Sequence, residues 1–191
     1  QQMAFLETQL GVHKAYQTFA IIDETGKGRF IGGETLELGD REYIQTAFTN
    51  NETTLSEILT SRLTNEPTIL AVTPIAQASG EKALLLVHLD GYLFTQFTEE
   101  IVVGETGFGL ILSPNGTILG HKNRDWVKEQ LNFIQQAEEN NTMLGEAKAI
   151  QETILPNESG IAKYESVSGG ERYIGFDTMA NGWKVGVVAL E

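Results

Sequence analysis

The chain contains no cysteine. Disulfides, thiol catalysis, thiolate metal sites and iron–sulfur clusters are excluded together. Positive charge is scarce as well: 13 Lys and Arg stand against 26 Asp and Glu, a formal net charge of −13. Such a surface repels phosphate backbones and anionic lipid head groups, so no nucleic-acid partner is expected. The three histidines, His13, His88 and His121, show no HxH or HxxxH spacing, and no metal site is expected. No apolar run approaches the ~20 residues that span a bilayer. GxSxG, P-loop and EF-hand patterns are absent. The glycines of 104–109 precede a strand instead of joining a strand to a helix, so they form a loop and not a dinucleotide fingerprint. With no catalytic constellation and no cofactor motif, a non-enzymatic role without a cofactor is expected.

What is present is an ordinary globular composition, 41% hydrophobic and 20% charged over 191 residues, enough for one large domain or two small ones. Residues 1–17 read as the end of a helix that starts earlier, and Glu191 follows directly on an apolar strand, so the chain is expected to be part of a longer protein. Strands are predicted at Thr18–Ile22 and 29–31 around the turn Asp23-Glu24-Thr25-Gly26. Asp40 is a plausible N-cap for a helix over 41–49, ended by Asn50-Asn51. Residues 55–63 are ambiguous between strand and helix. Strands follow at 68–75 and 82–89, and the unalternating Leu84-Leu85-Leu86-Val87 predicts burial on both faces. The pattern then restarts. Strands at 109–112 and 117–119 flank Ser113-Pro114-Asn115-Gly116, 124–139 has the apolar stripe of a helix, and 146–155 is a further helical candidate. Three strands close the chain at 160–167, 171–178 and 183–190. Ile21 to Gly26 and Ile111 to Gly116 are the same hairpin 90 residues apart, each followed by a return strand, a helix and about three strands.

Three signals between residues 39 and 90 carry chemistry. They are Gly39-Asp40-Arg41-Glu42-Tyr43 at a helix mouth, Ala71-Val72-Thr73-Pro74-Ile75 ending an apolar run, and Leu84 to Asp90 ending in His88-Leu89-Asp90. Their order resembles the distal half of a double Cache domain, an extracytoplasmic ligand sensor built from two PAS-like units. The resemblance covers most of the chain. It implies an α+β fold of two tandem PAS-like units, each an antiparallel sheet flanked by helices. Residues 1–17 would be the end of a long N-terminal helix, 18–100 a membrane-distal ligand-binding unit and 101–191 a membrane-proximal unit. It further implies a membrane receptor with this part outside the cytoplasm, a parallel homodimer, and a small-molecule ligand of the amino acid, amine or organic acid class. Chemotaxis is the first expectation for its output, a histidine kinase or cyclic-dinucleotide enzyme the alternative.

Arg41, an aromatic at Tyr43 and a terminal Asp90 match the family's pocket frame. The Tyr-x-Asp of amino-acid-binding members is absent, since 57–63 read Glu-Ile-Leu-Thr-Ser-Arg-Leu. The frame therefore supports a small-molecule sensor more than an amino-acid sensor. An Arg at a pocket mouth suits a carboxylate through its bidentate fork. His88 shares a strand face with Asp90, and Ser61 and Thr73 add hydroxyls. Each also has a structural reading: Arg41 and Tyr43 as helix-entry packing, Asp90 as a strand stop, His88 as a core histidine. His13 and His121 are expected at the surface. The rival readings are a spacer with a self-filled pocket, or an α+β enzyme using Asp40, His88 and Asp90.

Overall fold

A computed structural model describes residues 2–10, 12, 15–77 and 80–190. The chain divides into two compact units, Gln1–Gly91 and Tyr92–Glu191.

In the first unit a short helix α1 (Gln2–Gln9) precedes β1 (Tyr16–Asp23), β2 (Lys27–Phe30) and β3 (Thr35–Glu37). Helix α2 (Glu42–Asn50) follows, then β4 (Thr54–Leu55), β5 (Leu59–Thr60), β6 (Pro67–Ala76) and β7 (Lys82–Asp90). The helix expected over 1–17 ends at Gln9, because Tyr16 and Thr18 already pair with Leu89 and His88 on β7. The strands form one antiparallel sheet in the order β3-β2-β1-β7-β6-β4, with β5 also on β6. Residues 55–63 hold only short edge strands and turns.

Alternation along the central strands sets the core. Leu84 and Leu86 on β7, Val72 on β6 and Ile22 on β1 are fully buried with Ile44 and Ala47 of α2. Leu85 and Val87 on the other face are only half-buried, so the predicted burial of both faces is complete on one. Strand β6 does not end at Pro74 but runs on to Ala76, pairing with β7 throughout. The proline is tolerated because β4 pairs with β6 only as far as Val72, leaving that side of Pro74 without a ladder partner.

The second unit contains α3 (Leu93–Glu99), β8 (Phe108–Leu112), β9 (Ile118–His121), α4 (Arg124–Lys128), α5 (Phe133–Asn140) and α6 (Leu144–Ala149). A π turn over Ile150–Ile154 then leads to β10 (Ser159–Glu165), β11 (Glu171–Thr178) and β12 (Lys184–Leu190). Helix α3 packs on β8 and β9, which places the break between the units ahead of the expected boundary at 100/101. The helix expected over 124–139 is two helices. Gln130 adopts φ +51°, and Asn132 accepts hydrogen bonds from the Ile134 and Gln135 N–H groups at 3.0 and 3.3 Å, starting α5 afresh.

The sheet order β10-β11-β12-β8-β9 repeats that of the first unit, read as β4-β6-β7-β1-β2. The matched hairpins are structurally equivalent. The Gly26 N–H donates to Asp23 O at 2.9 Å and the Gly116 N–H to Ser113 O at 3.0 Å, with φ +85° and +87° at the two glycines. Both are four-residue turns closed by a left-handed glycine. The chain is therefore two tandem PAS-like α+β units. His121, expected at the surface, is instead 3% exposed, because it ends β9 under Phe108 and Trp126. His13 lies outside the described residues.

Candidate functional site

The loop that leads into α2 is fixed by a close backbone approach. A Cβ on Gly26 would lie 2.3 Å from the Gly39 Cα, so the first hairpin turn packs directly on the segment before Arg41. The Leu38 N–H donates to Gly26 O at 2.8 Å and Gln45 Nε2 to Gly39 O at 2.9 Å. Arg41 then occupies the N-cap of α2 in an extended conformation, φ −83° and ψ 129°, with its carbonyl accepting from Ile44 and Gln45 N–H. Its side chain makes no cap hydrogen bond.

That side chain lines a small cavity between the mouth of α2 and the core face of the sheet. Of the six residues singled out from the sequence, Arg41, Tyr43, Ser61 and His88 line it together, with Leu70 and Leu86 among the apolar walls. Its volume is about 20 Å³, room for about one water. Polar atoms of these lining residues are incompletely satisfied. Arg41 Nε is buried without a partner, and so are both ring nitrogens of His88, a residue 1% exposed. Burial holds the His88 imidazole below its ordinary pKa, against the opposing pull of Asp90, and keeps it neutral at pH 7. Burial likewise raises the Tyr43 phenol. A neutral imidazole offers one donor and one acceptor, and the guanidinium adds a charged donor. Buried groups of this kind cost free energy until something bonds them.

Ser61 is partly committed. Its Oγ accepts from the Leu63 and Thr64 N–H groups at 3.1 and 3.2 Å and shapes the turn after β5. Thr73 and Asp90 do not line the cavity. Val72 points into the core, so alternation turns Thr73 to the opposite face, where its hydroxyl bonds Thr53 Oγ1 at 2.8 Å. Asp90 shares the His88 face but sits one pleat farther along, opposite Thr68, at the end of the strand.

Sequence reasoning missed Arg62. It also lines the cavity and holds Asp40 in a two-pronged ion pair at 2.6 and 3.0 Å, while Nη1 donates to Glu37 O at 3.0 Å. The Arg62 hydrogen bond holds the Asp40 carboxyl below its usual range. This fork ties the turn after β5 to the mouth of α2. An Arg with an acidic residue 22 positions away leaves no local signature, so no sequence pattern could have found it.

No protein-family model matches the chain, and no curated protein matches it. Solved structures do. The extracellular domain assigned to the histidine kinase rpHK1S-Z16 superposes with a TM-score of 0.75 at 14% identity, over 100% of this chain and 77% of that one. The ligand-binding domain of the Pseudomonas aeruginosa amino acid chemoreceptor PctB, solved with L-Arg, gives 0.69 at 18% identity over 100% and 77%. That of the Campylobacter jejuni chemoreceptor Tlp3, solved with 4-methylisoleucine, gives 0.72 at 11% over 98% and 69%. The chain has the double Cache fold. The two antiparallel sheets with flanking helices that the resemblance implied are observed.

Proposed function

We propose that the chain is the extracytoplasmic sensor part of a membrane receptor, with chemotaxis as its output. The first unit binds a small polar organic molecule of the amino acid, amine or organic acid class. The observation that carries this reading is that the unpartnered buried donors and acceptors, Arg41 Nε and both His88 nitrogens, belong to residues lining one cavity. A ligand carboxylate would take the Arg41 guanidinium, and a hydroxyl or amine would take the His88 ring. A cavity of 20 Å³ must widen to admit it. The turn after β5 is the element able to yield, because it is held to the mouth of α2 through the exposed Asp40–Arg62 pair. Ligand binding then selects the wider form through its differential affinity, and that change is the signal.

A sensor fits better than an enzyme. Asp40 is engaged by Arg62, and neither Asp40 nor Asp90 lines the cavity that holds His88. The homodimer belongs to the same proposal: α1 has no buried residue and Phe5 is 64% exposed, so a partner's helix has a surface to cover.

A thermal-shift screen of amino acids, amines and organic acids tests the reading. A ligand at a hundredfold excess over its Kd stabilises the chain by ~2.7 kcal/mol. A rise of several degrees with one chemical class is expected. No shift with any class favours a spacer, and turnover of a bound compound favours an enzyme.

A further inference from the structure

The second unit contains a cavity of about 420 Å³, against about 20 Å³ for the one around Arg41 and His88. It lies between the sheet (Phe108, Leu110, Ile174) and the helical layer (Trp126, Phe133, Ile150). This volume falls in the range of pockets that enclose small organic ligands.

The second observation is independent of volume. Among the described residues, every buried side-chain polar atom without a partner, except Thr95 Oγ1, belongs to a residue lining one of these two cavities. In the second unit those atoms are His121 Nε2, Glu146 Oε2 and Arg172 Nε. Each side chain is anchored through its other polar atoms. His121 Nδ1 accepts from the Asn123 N–H at 2.8 Å, which leaves the ring proton on Nε2. Glu146, 8% exposed, accepts at Oε1 from Ser166 Oγ at 3.0 Å and from the Val167 N–H at 2.9 Å. Arg172 Nη2 donates to Ser168 Oγ at 3.2 Å. Two donors and one acceptor are thus held in fixed orientation with their bonding capacity unused.

The wall also specifies its guest. Phe108 stands edge-on to His121 at 4.9 Å, His121 stacks on Trp126 at 4.5 Å, and Trp126 meets Phe133 edge-on at 5.3 Å. This aromatic row suits a flat ring. Glu146 and Arg172 are opposite in charge, and Lys122, which also lines the cavity, is engaged with the Phe108 ring at 4.4 Å and donates to Thr106 O at 3.4 Å, so a single uncharged head that both donates and accepts can use the three unpartnered atoms.

We propose that the second unit is itself a binding site for an uncharged, ring-containing organic molecule with a hydroxyl or amide head. The head donates to Glu146 Oε2 and accepts from Arg172 Nε–H or His121 Nε2–H, and the ring lies in the aromatic row. The site is separate from the pocket of the first unit and does not depend on it.

Calorimetric titration of the whole chain with 2-naphthol tests this. Saturable one-to-one binding is expected. It should weaken about tenfold or more in Ala149→Phe, which fills the cavity, and in Glu146→Gln, which retains the Oε1 acceptor while exchanging Oε2 for a donor. Arg41→Ala should leave naphthol affinity unchanged, so failure here is distinguishable from failure of the first-unit reading. If Ala149→Phe does not fold, Arg172→Met serves in its place. No saturable binding overturns the proposal. So does binding that these variants leave intact, or a site that takes zwitterionic L-tryptophan in preference to naphthol.

Discussion

Arg41 and His88 are the residues on which the first-unit pocket stands. Both were singled out in the sequence, Arg41 by its place at a helix mouth beside an aromatic and His88 by sharing a strand face with Asp90. Thr73 was misplaced because a residue next to a proline looked like a strand end, whereas the strand continues and parity sends Thr73 away from the core. Arg62 was not legible, because its role depends on a partner brought near by folding alone. Arg62→Ala should cut the tie to Asp40 and raise amide exchange in 61–66, measured by hydrogen–deuterium exchange; unchanged exchange would show that the fork does not hold the turn. His121 makes a pH prediction. Burial and the charge of Lys122 push its pKa down from 6.5 to about 4. As pH falls, the unfolded chain therefore takes up this proton first. The stability it contributes is full above about 6.5 and is lost on the way to about 4, by up to about 3 kcal/mol. His121→Phe should flatten the fall in Tm between pH 7 and 4.5, and an unaltered slope would contradict the assignment.

At the scale of elements, turn chemistry was the most readable signal. The two hairpins were matched by sequence alone, and their left-handed glycines explain why. Their surroundings differ. A Cβ at Gly116 would meet Ile134 and Ile150 side-chain carbons at 3.3 Å, while one at Gly26 would run into Gly39 backbone at 2.3 Å. Side chains give way more readily than backbone. Gly116→Val should lower Tm, by roughly 1–3 kcal/mol of stability, without altering ligand affinity in the first unit. Gly26→Ala should cost more than Gly116→Ala and should also weaken that affinity, because it displaces the segment carrying Arg41. Equal melting temperatures for the two alanine variants would argue against the close approach. The break between α4 and α5 was hidden because the apolar stripe runs through it, and the left-handed Gln130 and the capping Asn132 divide it. Asn132→Ala should lower stability by about 1 kcal/mol, read from the urea midpoint at constant m-value.

At the scale of the molecule, two units share one sheet order, and each has a cavity between its sheet and its helical layer. The tandem repeat was legible because hairpin, return strand and helix recur at a fixed interval. Cavity size was not, because it depends on how side chains from distant segments meet: the same architecture is nearly closed around Arg41 and His88 and open around Glu146 and Arg172. On the proposed reading, the unpartnered groups of the first unit await a small polar ligand. Calorimetry of wild type and Arg41→Ala with the best compound from the amino acid, amine and organic acid screen tests it most directly. One-to-one binding to wild type is expected, about tenfold or more weaker in Arg41→Ala, with Tm of the free proteins nearly equal. Equal affinity of the two proteins for that compound would contradict it.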